Sequence, residues 1–344
     1  MRAVVVPRKG PPEVLRVEER PDPAPQRGDV RIAVEAAGLN FADLLARIGV
    51  YRDAPPLPTV LGYEVAGTVD ALGDGVTDLH VGDRVMAATR FGGQAELAVA
   101  ARADVLSIPD GVSMPEAAAI PVSYGTAYAA LVLMAGVRPG LRVLIHSAAG
   151  GAGTAATQIA SHFGAVVIGT ASATKHDQCR ANGAQHVIDY HDSDVGAEVR
   201  RITGGEGVDI VLNALGPSTW RRDWRLLRPG GRIVAYGASQ VQTGDKLNLR
   251  AGVATLARFP FASVPWWKGP RVLNENRGFF GLNLKAWWDQ EGTLTRIIEP
   301  LLELMAQGAI RPVVDTTFAF DRAADAHRRL MSRQSVGKVI LTPH

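Results

Sequence analysis

The stretch that most restricts the fold is residues 143–160, VLIHSAAGGAGTAATQIA: an apolar run, a turn built almost wholly of small residues, then a helical pattern. From residue 141 onward the same order recurs. The apolar runs LRVLIH, AVVIGT, HVIDY, VDIVLNAL and GRIVAYG are separated by amphipathic segments, and FFGLNL follows later. Apolar strands alternating with helices are the sequence form of a parallel, doubly wound sheet, because each crossover helix covers one face of it. In such a sheet the small-residue turn lies after the first strand, where a helix N-terminus offers unpaired N–H groups to a pyrophosphate. The usual glycine-x-glycine-x-x-glycine spacing is met by Ala148, Gly150 and Gly153, so Gly150, Gly151, Ala152 and Gly153 form the expected cradle. Gly150 lets the backbone approach the pyrophosphate, and Gly153 lets the helix pack closely on the strand. Any tight strand-to-helix turn also favours glycine; the flanking strand, the helix and the further β/α units are what make this a dinucleotide site.

The end of the next strand, AVVIGTASATK, addresses which dinucleotide. An NAD site usually carries Asp or Glu roughly 20 residues after the glycines, on the ribose 2′-hydroxyl. None is present there; Thr170, Ser172 and Lys175 offer hydroxyls and a cation instead, which suit a 2′-phosphate and predict NADPH. Ser172 capping the next helix, with Lys175 solvated on it, is compatible with that reading.

The rest of the chain has another rhythm. Residues 1–110 alternate short β-like runs with Gly, Pro and Asp, the pattern of short antiparallel strands in a barrel or sandwich. Ser113 and Glu116 make a capping box that starts a helix, and Pro121 is expected to kink or interrupt it. After residue 290 come a helical TRIIEPLLELMAQG and a tail ending in GKVILTP. A chain of 344 residues with 47% apolar content is long enough for two domains. No apolar run approaches the ~20 residues of a membrane span, and no signal-peptide pattern opens the chain, so stable membrane insertion is not expected and a cytoplasmic location is. One cysteine, Cys179, rules out an internal disulfide and any cysteine-rich metal site. A net charge of +3 is too small to argue for nucleic acid. In STWRRDWRLLR, Trp220, Trp224 and Leu227 form one stripe and Arg221, Arg225 and Arg228 the next; the reading is tryptophans on the sheet and arginines in water. The apolar, aromatic segment 252–270 is short and broken by proline, and is expected to cover an active site or meet a second subunit.

The runs AAGLNFADLLARIGVY, PPLPTVLGYEVAGTV, VGDRVM, AAGGAG, GTASATKH, IDYH and VGKVILTP together resemble the medium-chain dehydrogenase/reductases, in the zeta-crystallin-like quinone oxidoreductase group, over essentially the full length. The resemblance implies an α/β chain: a GroES-like β-barrel catalytic domain (1–121 and 291–344) plus a doubly wound, Rossmann NADPH-binding domain (122–290), with the active site in the cleft. Zinc enzymes of this superfamily have Cys where this chain has Asn40 and His where it has Tyr63, and Asn and Tyr are poor zinc ligands, so a zinc-free reductase is expected. The eight histidines are scattered without ligand spacing and read as core or surface residues. Without a metal, hydrogen bonds and the nicotinamide must activate the substrate, which suits quinones and α,β-unsaturated carbonyls. Tyr51 is the expected stabiliser or proton donor, with packing against APPLP as the equal alternative. Asn40 and Asp43 order the cleft, Asn40 also reading as a helix cap, and Tyr63 is expected near the nicotinamide. Leu45 stands where many quinone reductases have Tyr, so their specificity does not carry over. The resemblance further places Thr126, Tyr190, Asn213, Leu215, Gly237, Ala238, Phe280 and Gly281 around the cofactor. It also implies a homodimer joined through the edge strand 279–284, flanked by Trp266 and Trp267. The alternative function is an NADPH-binding protein with little or no catalysis, acting at membrane or vesicle surfaces.

Overall fold

The computed structural model of the protein describes residues 1–239 and 273–344, so segment 252–270, with Trp266 and Trp267, lies outside the described residues. The chain forms two compact units, Met1–Gly125 with Leu284–His344, and Thr126–Asn283. The divisions thus fall after Gly125 and Asn283 rather than after residues 121 and 290.

The first unit is built on β1 (Arg2–Val6), β2 (Arg16–Glu19), β3 (Asp29–Leu39), β4 (Thr59–Val60), β5 (Glu64–Leu72), β6 (Arg84–Ala88), β7 (Leu97–Ala101) and β8 (Val105–Ser107). One sheet runs in the order β2-β1-β4. The larger one runs from the C-terminal strands Val314–Ala319 and Lys338–Thr342 through β3, β5 and β6 to β8, with β7 also on β3. Val30, Ile32 and Val34 alternate along β3 with less buried neighbours and feed a core shared with Val65, Val69, Val85 and Leu341. Val339↔Leu39 and Ile340↔Gly38 pair antiparallel, which brings Lys338 from the tail to the end of β3. Asn40 then precedes helix α1 (Phe41–Ile48), with Asp43 on its first turn.

The capping box forms as read: Ser113 N–H donates to Glu116 Oε2 at 2.9 Å and the Ser113 hydroxyl accepts from Glu116 N–H at 3.4 Å. The helix stops after Ala117, and Pro121 opens a second one (α3, Pro121–Tyr128; α2 is Met114–Ala117). There the missing N–H of Pro121 costs little. The stretch Met114–Met134 is 21 residues long with mean hydropathy 1.5, so by length and composition alone it is apolar enough to cross a membrane. That corrects the expectation that no run reaches this length; the prolines and Glu116 disguise it. Its most apolar window is 67% buried within the protein, as a core helix would be.

The second unit holds β9 (Arg142–Ile145), β10 (Val166–Ala171), β11 (His186–Asp189), β12 (Val208–Asn213), β13 (Leu227–Ala235) and β14 (Gly278–Gly281). All pairings are parallel, in the order β11-β10-β9-β12-β13-β14. The chain order reverses between β9 and β12, so the ligand crevice of a doubly wound sheet lies beyond their C-terminal ends. Helices α4 (Gly151–His162), α5 (His176–Ala181), α6 (Val195–Ile202) and α7 (Pro217–Leu226) link the strands. Trp220 and Trp224 are buried, with Trp220 4.9 Å from the Phe279 ring, and Arg221, Arg225 and Arg228 are exposed. Helix α7 ends at Leu226, so Leu227 belongs to β13 and not to the tryptophan stripe. The edge strand is shorter than 279–284. It spans Gly278–Gly281: Leu282 N–H makes the last ladder bond, to Ala235 O at 2.8 Å, and a helix begins at Leu284.

Candidate functional site

The glycine turn of the second unit is tightly determined. Ser147 adopts φ 55°, a left-handed conformation rare for a residue with a side chain. Gly150 N–H donates to Ser147 O at 3.0 Å and Ala148 N–H to Thr170 O at 3.0 Å. Gly150 then caps α4. A Cβ on Gly153 would lie 2.0 Å from Ser147 O, so only hydrogen fits there, whereas a Cβ on Gly150 meets nothing closer than 3.5 Å. The steric need for glycine at 150 is therefore absent within the chain itself. The N–H groups of Gly151, Ala152 and Gly153, in the first turn of α4, have no carbonyl of their own helix to bond, as at any helix N-terminus.

Asn213, fully buried at the end of β12, shapes the facing loop. Its Oδ1 accepts Leu215 N–H at 3.0 Å and Gly216 N–H at 2.9 Å, while its Nδ2 donates to Thr219 Oγ1 at 2.8 Å and Asp223 Oδ2 at 2.6 Å. The loop after β13 rides on it: Ser239 N–H bonds Ala214 O at 3.0 Å, and a Cβ on Gly237 would come within 2.8 Å of that oxygen. Ala238 packs against Gly216 in the same place. Phe280 and Gly281 are exposed on β14, and Thr126 is half-buried in α3.

At the end of β10 the three predicted contacts separate. Thr170 is 2% exposed, and its Oγ1 lies 3.3 Å from Ser147 N and 3.2 Å from His146 Nδ1, inside a buried network. Ser172 and Lys175 are half-buried at the start of the following helical turns. An acid does stand here: Ala171↔Asp189 pairing brings Asp189 across from β11, and its carboxylate accepts the N–H groups of His191 and Ala173, both at 2.9 Å. Those bonds, that of His191 first, hold it below the ordinary carboxylate range. Tyr190 beside it is exposed, its ring 4.4 Å from that of His191. A spacing rule counted along the chain misses Asp189 because a neighbouring strand carries it.

In the first unit Asn40 is not an isolated cap. Lys338 Nζ donates to Asn40 Oδ1 at 2.6 Å and Ser123 Oγ at 3.1 Å, and is ion-paired with Glu64 Oε1. Asn40 Nδ2 donates to Glu64 Oε1 at 2.8 Å, and Val122 N–H to Glu64 Oε2 at 2.7 Å. Lys338 and Glu64 are both buried, and Gly38 makes room for them: a Cβ there would sit 2.5 Å from Glu64 Oε1. Asp43 accepts Asn40 N–H at 2.8 Å and Gly62 N–H at 3.1 Å, which ties α1 to the segment carrying Tyr63; burial pushes its carboxyl up to about 7.

Tyr63 is buried, 4.9 Å from the Phe91 ring and 6.2 Å from that of Tyr51 in an edge-on arrangement; among the described residues its hydroxyl makes no hydrogen bond of regular geometry, and the phenol of Tyr51 is the hydroxyl that influences it. Burial pushes the Tyr51 phenol up to about 12 and raises that of Tyr63 as well, so both remain O–H donors at neutral pH. Tyr51 also packs, with Ala54, Leu57 and Phe91, on a small core around Val6 and Leu61. The site thus contains a phenol pair, a carboxyl near neutrality and a buried cation. Among the described residues no three His, Cys, Asp or Glu side chains cluster as a metal site. Sequence reasoning missed Glu64 and Lys338, although both lie in quoted runs, LGYEVAG and VGKVILTP. It also read His146 as an ordinary scattered histidine.

The chain matches the alcohol dehydrogenase GroES-like domain over residues 26–110 and the zinc-binding dehydrogenase domain over residues 182–341. It is 39% identical to the rat (Rattus norvegicus) synaptic vesicle membrane protein VAT-1 homolog, over 100% of this chain and 84% of that protein. Among solved structures, a Pseudomonas syringae quinone oxidoreductase superposes with TM-score 0.84 at 31% identity, covering 99% of each chain. A mycobacterial protein complexed with NADPH superposes with TM-score 0.84 at 31% identity, covering 100% of each.

Proposed function

We propose, from the premise that the chain belongs to the medium-chain dehydrogenase/reductase superfamily and is an oxidoreductase of it, that it reduces a quinone or an α,β-unsaturated carbonyl with NADPH and without zinc. The observation that carries this reading is the buried Tyr63 hydroxyl, which makes no hydrogen bond of regular geometry among the described residues and lies beside the Tyr51 phenol. A buried donor left unbonded costs about 1–3 kcal/mol, which a substrate oxygen would offset. NADPH, when bound, would supply the hydride. As hydride reaches a ring or β-carbon, the electron pair moves onto the carbonyl oxygen, and a phenol O–H stabilises that anion by donating a hydrogen bond or its proton, which water replaces. Asp43 holds the Gly62–Tyr63 backbone in place, and the Lys338 ammonium occupies Asn40, one of the two former metal-ligand positions.

The cradle of Gly151, Ala152 and Gly153 fits the pyrophosphate. With Thr170 turned inward, Ser172 and Lys175 are the groups left for a 2′-phosphate, and the NADPH-bound neighbour supports that choice while Asp189 opposes it. The test is turnover in excess chelator with a panel of quinones and enones, using NADPH and NADH. NADPH oxidation with at least one acceptor is expected. Lys175→Ala should weaken NADPH by ~1–3 kcal/mol and leave NADH nearly unchanged. Equal losses for both cofactors would defeat the NADPH assignment. Saturable NADPH binding without turnover on any acceptor would favour a binding protein at vesicle or membrane surfaces, as the name of the rat relative suggests.

A homodimer through β14 belongs to the same proposal, because β14 is the sheet edge among the described residues. Leu282 N–H faces β13, so strand alternation turns the N–H of Gly281 outward. Gly281→Pro removes that donor in open space, whereas Leu282→Pro would break the fold's own bond. Light scattering should show wild-type dimers and Gly281→Pro monomers with unchanged circular dichroism; a variant of dimer mass would refute the edge.

A further inference from the structure

A chain of buried polar groups runs beneath both loops of the proposed nucleotide site. Asp223 on α7 and Asn213 are fully buried, His146 is 1% exposed and Thr170 2%. His146 Nε2 lies 3.0 Å from Asp223 Oδ2, and its Nδ1 lies 3.2 Å from Thr170 Oγ1. Ser147 N–H donates to Thr170 Oγ1, which leaves that hydroxyl able to bond Nδ1 of the imidazole in either direction. Nε2 is held from two sides: as N–H it donates to the Asp223 carboxylate, and as a lone pair it accepts from Arg222 Nη2 at 3.1 Å. Arg222 also joins the same carboxylate through Nε at 2.9 Å from Oδ1. Burial alone would raise the carboxyl of Asp223, yet His146 and Arg222 hold it below its usual range.

One anion therefore reaches both loops. Through His146 and Thr170 it fixes the N–H of Ser147, the residue in left-handed conformation that opens the glycine turn. Through the 2.6 Å bond to Asn213 it fixes the loop whose N–H groups Asn213 holds at Leu215 and Gly216. We propose that Asp223, His146 and Thr170 form a positioning relay that presets the pyrophosphate turn and couples it to the loop after β12. Thr170 acts from below the turn and does not touch the 2′-phosphate. This inference rests on the nucleotide-binding reading above.

The test separates nucleotides with and without a pyrophosphate. Thr170→Val keeps the shape and removes the hydroxyl, leaving Ser147 N–H and His146 Nδ1 unmatched. Titration should show NADPH and ADP bound at least tenfold more weakly by Thr170→Val, adenosine 2′-monophosphate bound within twofold of wild type, and Thr170→Ser restoring affinity. Nitrogen NMR should find the Nε2 resonance of His146 shifted in Asp223→Asn relative to wild type, because that nitrogen bonds the Asp223 carboxylate. Wild-type affinity for NADPH in Thr170→Val would overturn the relay. So would an equal loss of NADPH and adenosine 2′-monophosphate, since that marks either general damage or a direct 2′-phosphate contact. If Asp223→Asn does not fold, the Thr170 variants decide alone. A wild type that binds neither NADPH nor ADP removes the nucleotide reading itself, a failure distinct from that of the relay.

Discussion

Lys338→Met should be among the most destabilising single substitutions in the first unit, with an expected loss of ~3–5 kcal/mol. The ammonium is 4% exposed and touches Glu64, Asn40 and Ser123, and Glu64 is fully buried. Methionine fills the volume of the lysine stem but leaves the Glu64 carboxylate as an uncompensated buried charge, held only by Asn40 Nδ2 and Val122 N–H. The double variant Glu64→Gln with Lys338→Met removes both charges. It keeps a side-chain oxygen for one of those donors, so it should recover most of the loss. Such non-additivity is the signature of a coupled pair. Calorimetry can follow it because the two units need not melt together. A single-variant loss below ~1 kcal/mol, the range of solvent-exposed pairs, would show that the pair does not behave as buried.

The parts of this molecule that were legible in the sequence are those fixed by local chemistry. Ser113 and Glu116 are three residues apart, so the box they form needs no knowledge of the rest of the chain. The β/α alternation is equally local, and it yields the parallel sheet. The Glu64–Lys338 pair is invisible by that route because only the antiparallel pairing of the C-terminal strand on β3 joins them. Thr170 fails for a different reason. Strand β10 is buried on both faces, so its side chains show no polar alternation from which to read which way the hydroxyl points. FFGLNL reads as six strand residues because nothing in an apolar run announces that its last residue, Leu284, opens a helix. The chemistry of Asn40 and Tyr63 was legible as residue types, since neither suits zinc. What holds Asn40, and that the Tyr63 ring is buried beside that of Tyr51, came only from the packing.

Gly153→Ala should damage both stability and nucleotide binding, whereas Gly150→Ala, three residues earlier, should spare stability. At Gly153 a methyl group would sit 2.0 Å from Ser147 O and 2.8 Å from Ala148 Cα, both backbone atoms that no rotamer change can move away. Either α4 lifts off β9 or the turn opens, and overpacking of this kind costs ~1–3 kcal/mol, more where the backbone resists. Lifting α4 also moves the N–H groups of Gly151 and Ala152 that form the cradle. At Gly150 the nearest atom to a new methyl is Ser147 O at 3.5 Å, an ordinary contact, and φ of −78° suits alanine. A loss of NADPH affinity in Gly150→Ala with unchanged unfolding would therefore report a ligand pressed against that backbone, and not a packing fault. Thermal unfolding together with NADPH titration of the two variants reads both effects. Wild-type stability in Gly153→Ala would mean that the 2.0 Å approach to Ser147 O is not real, and the structural basis of the cradle would go with it.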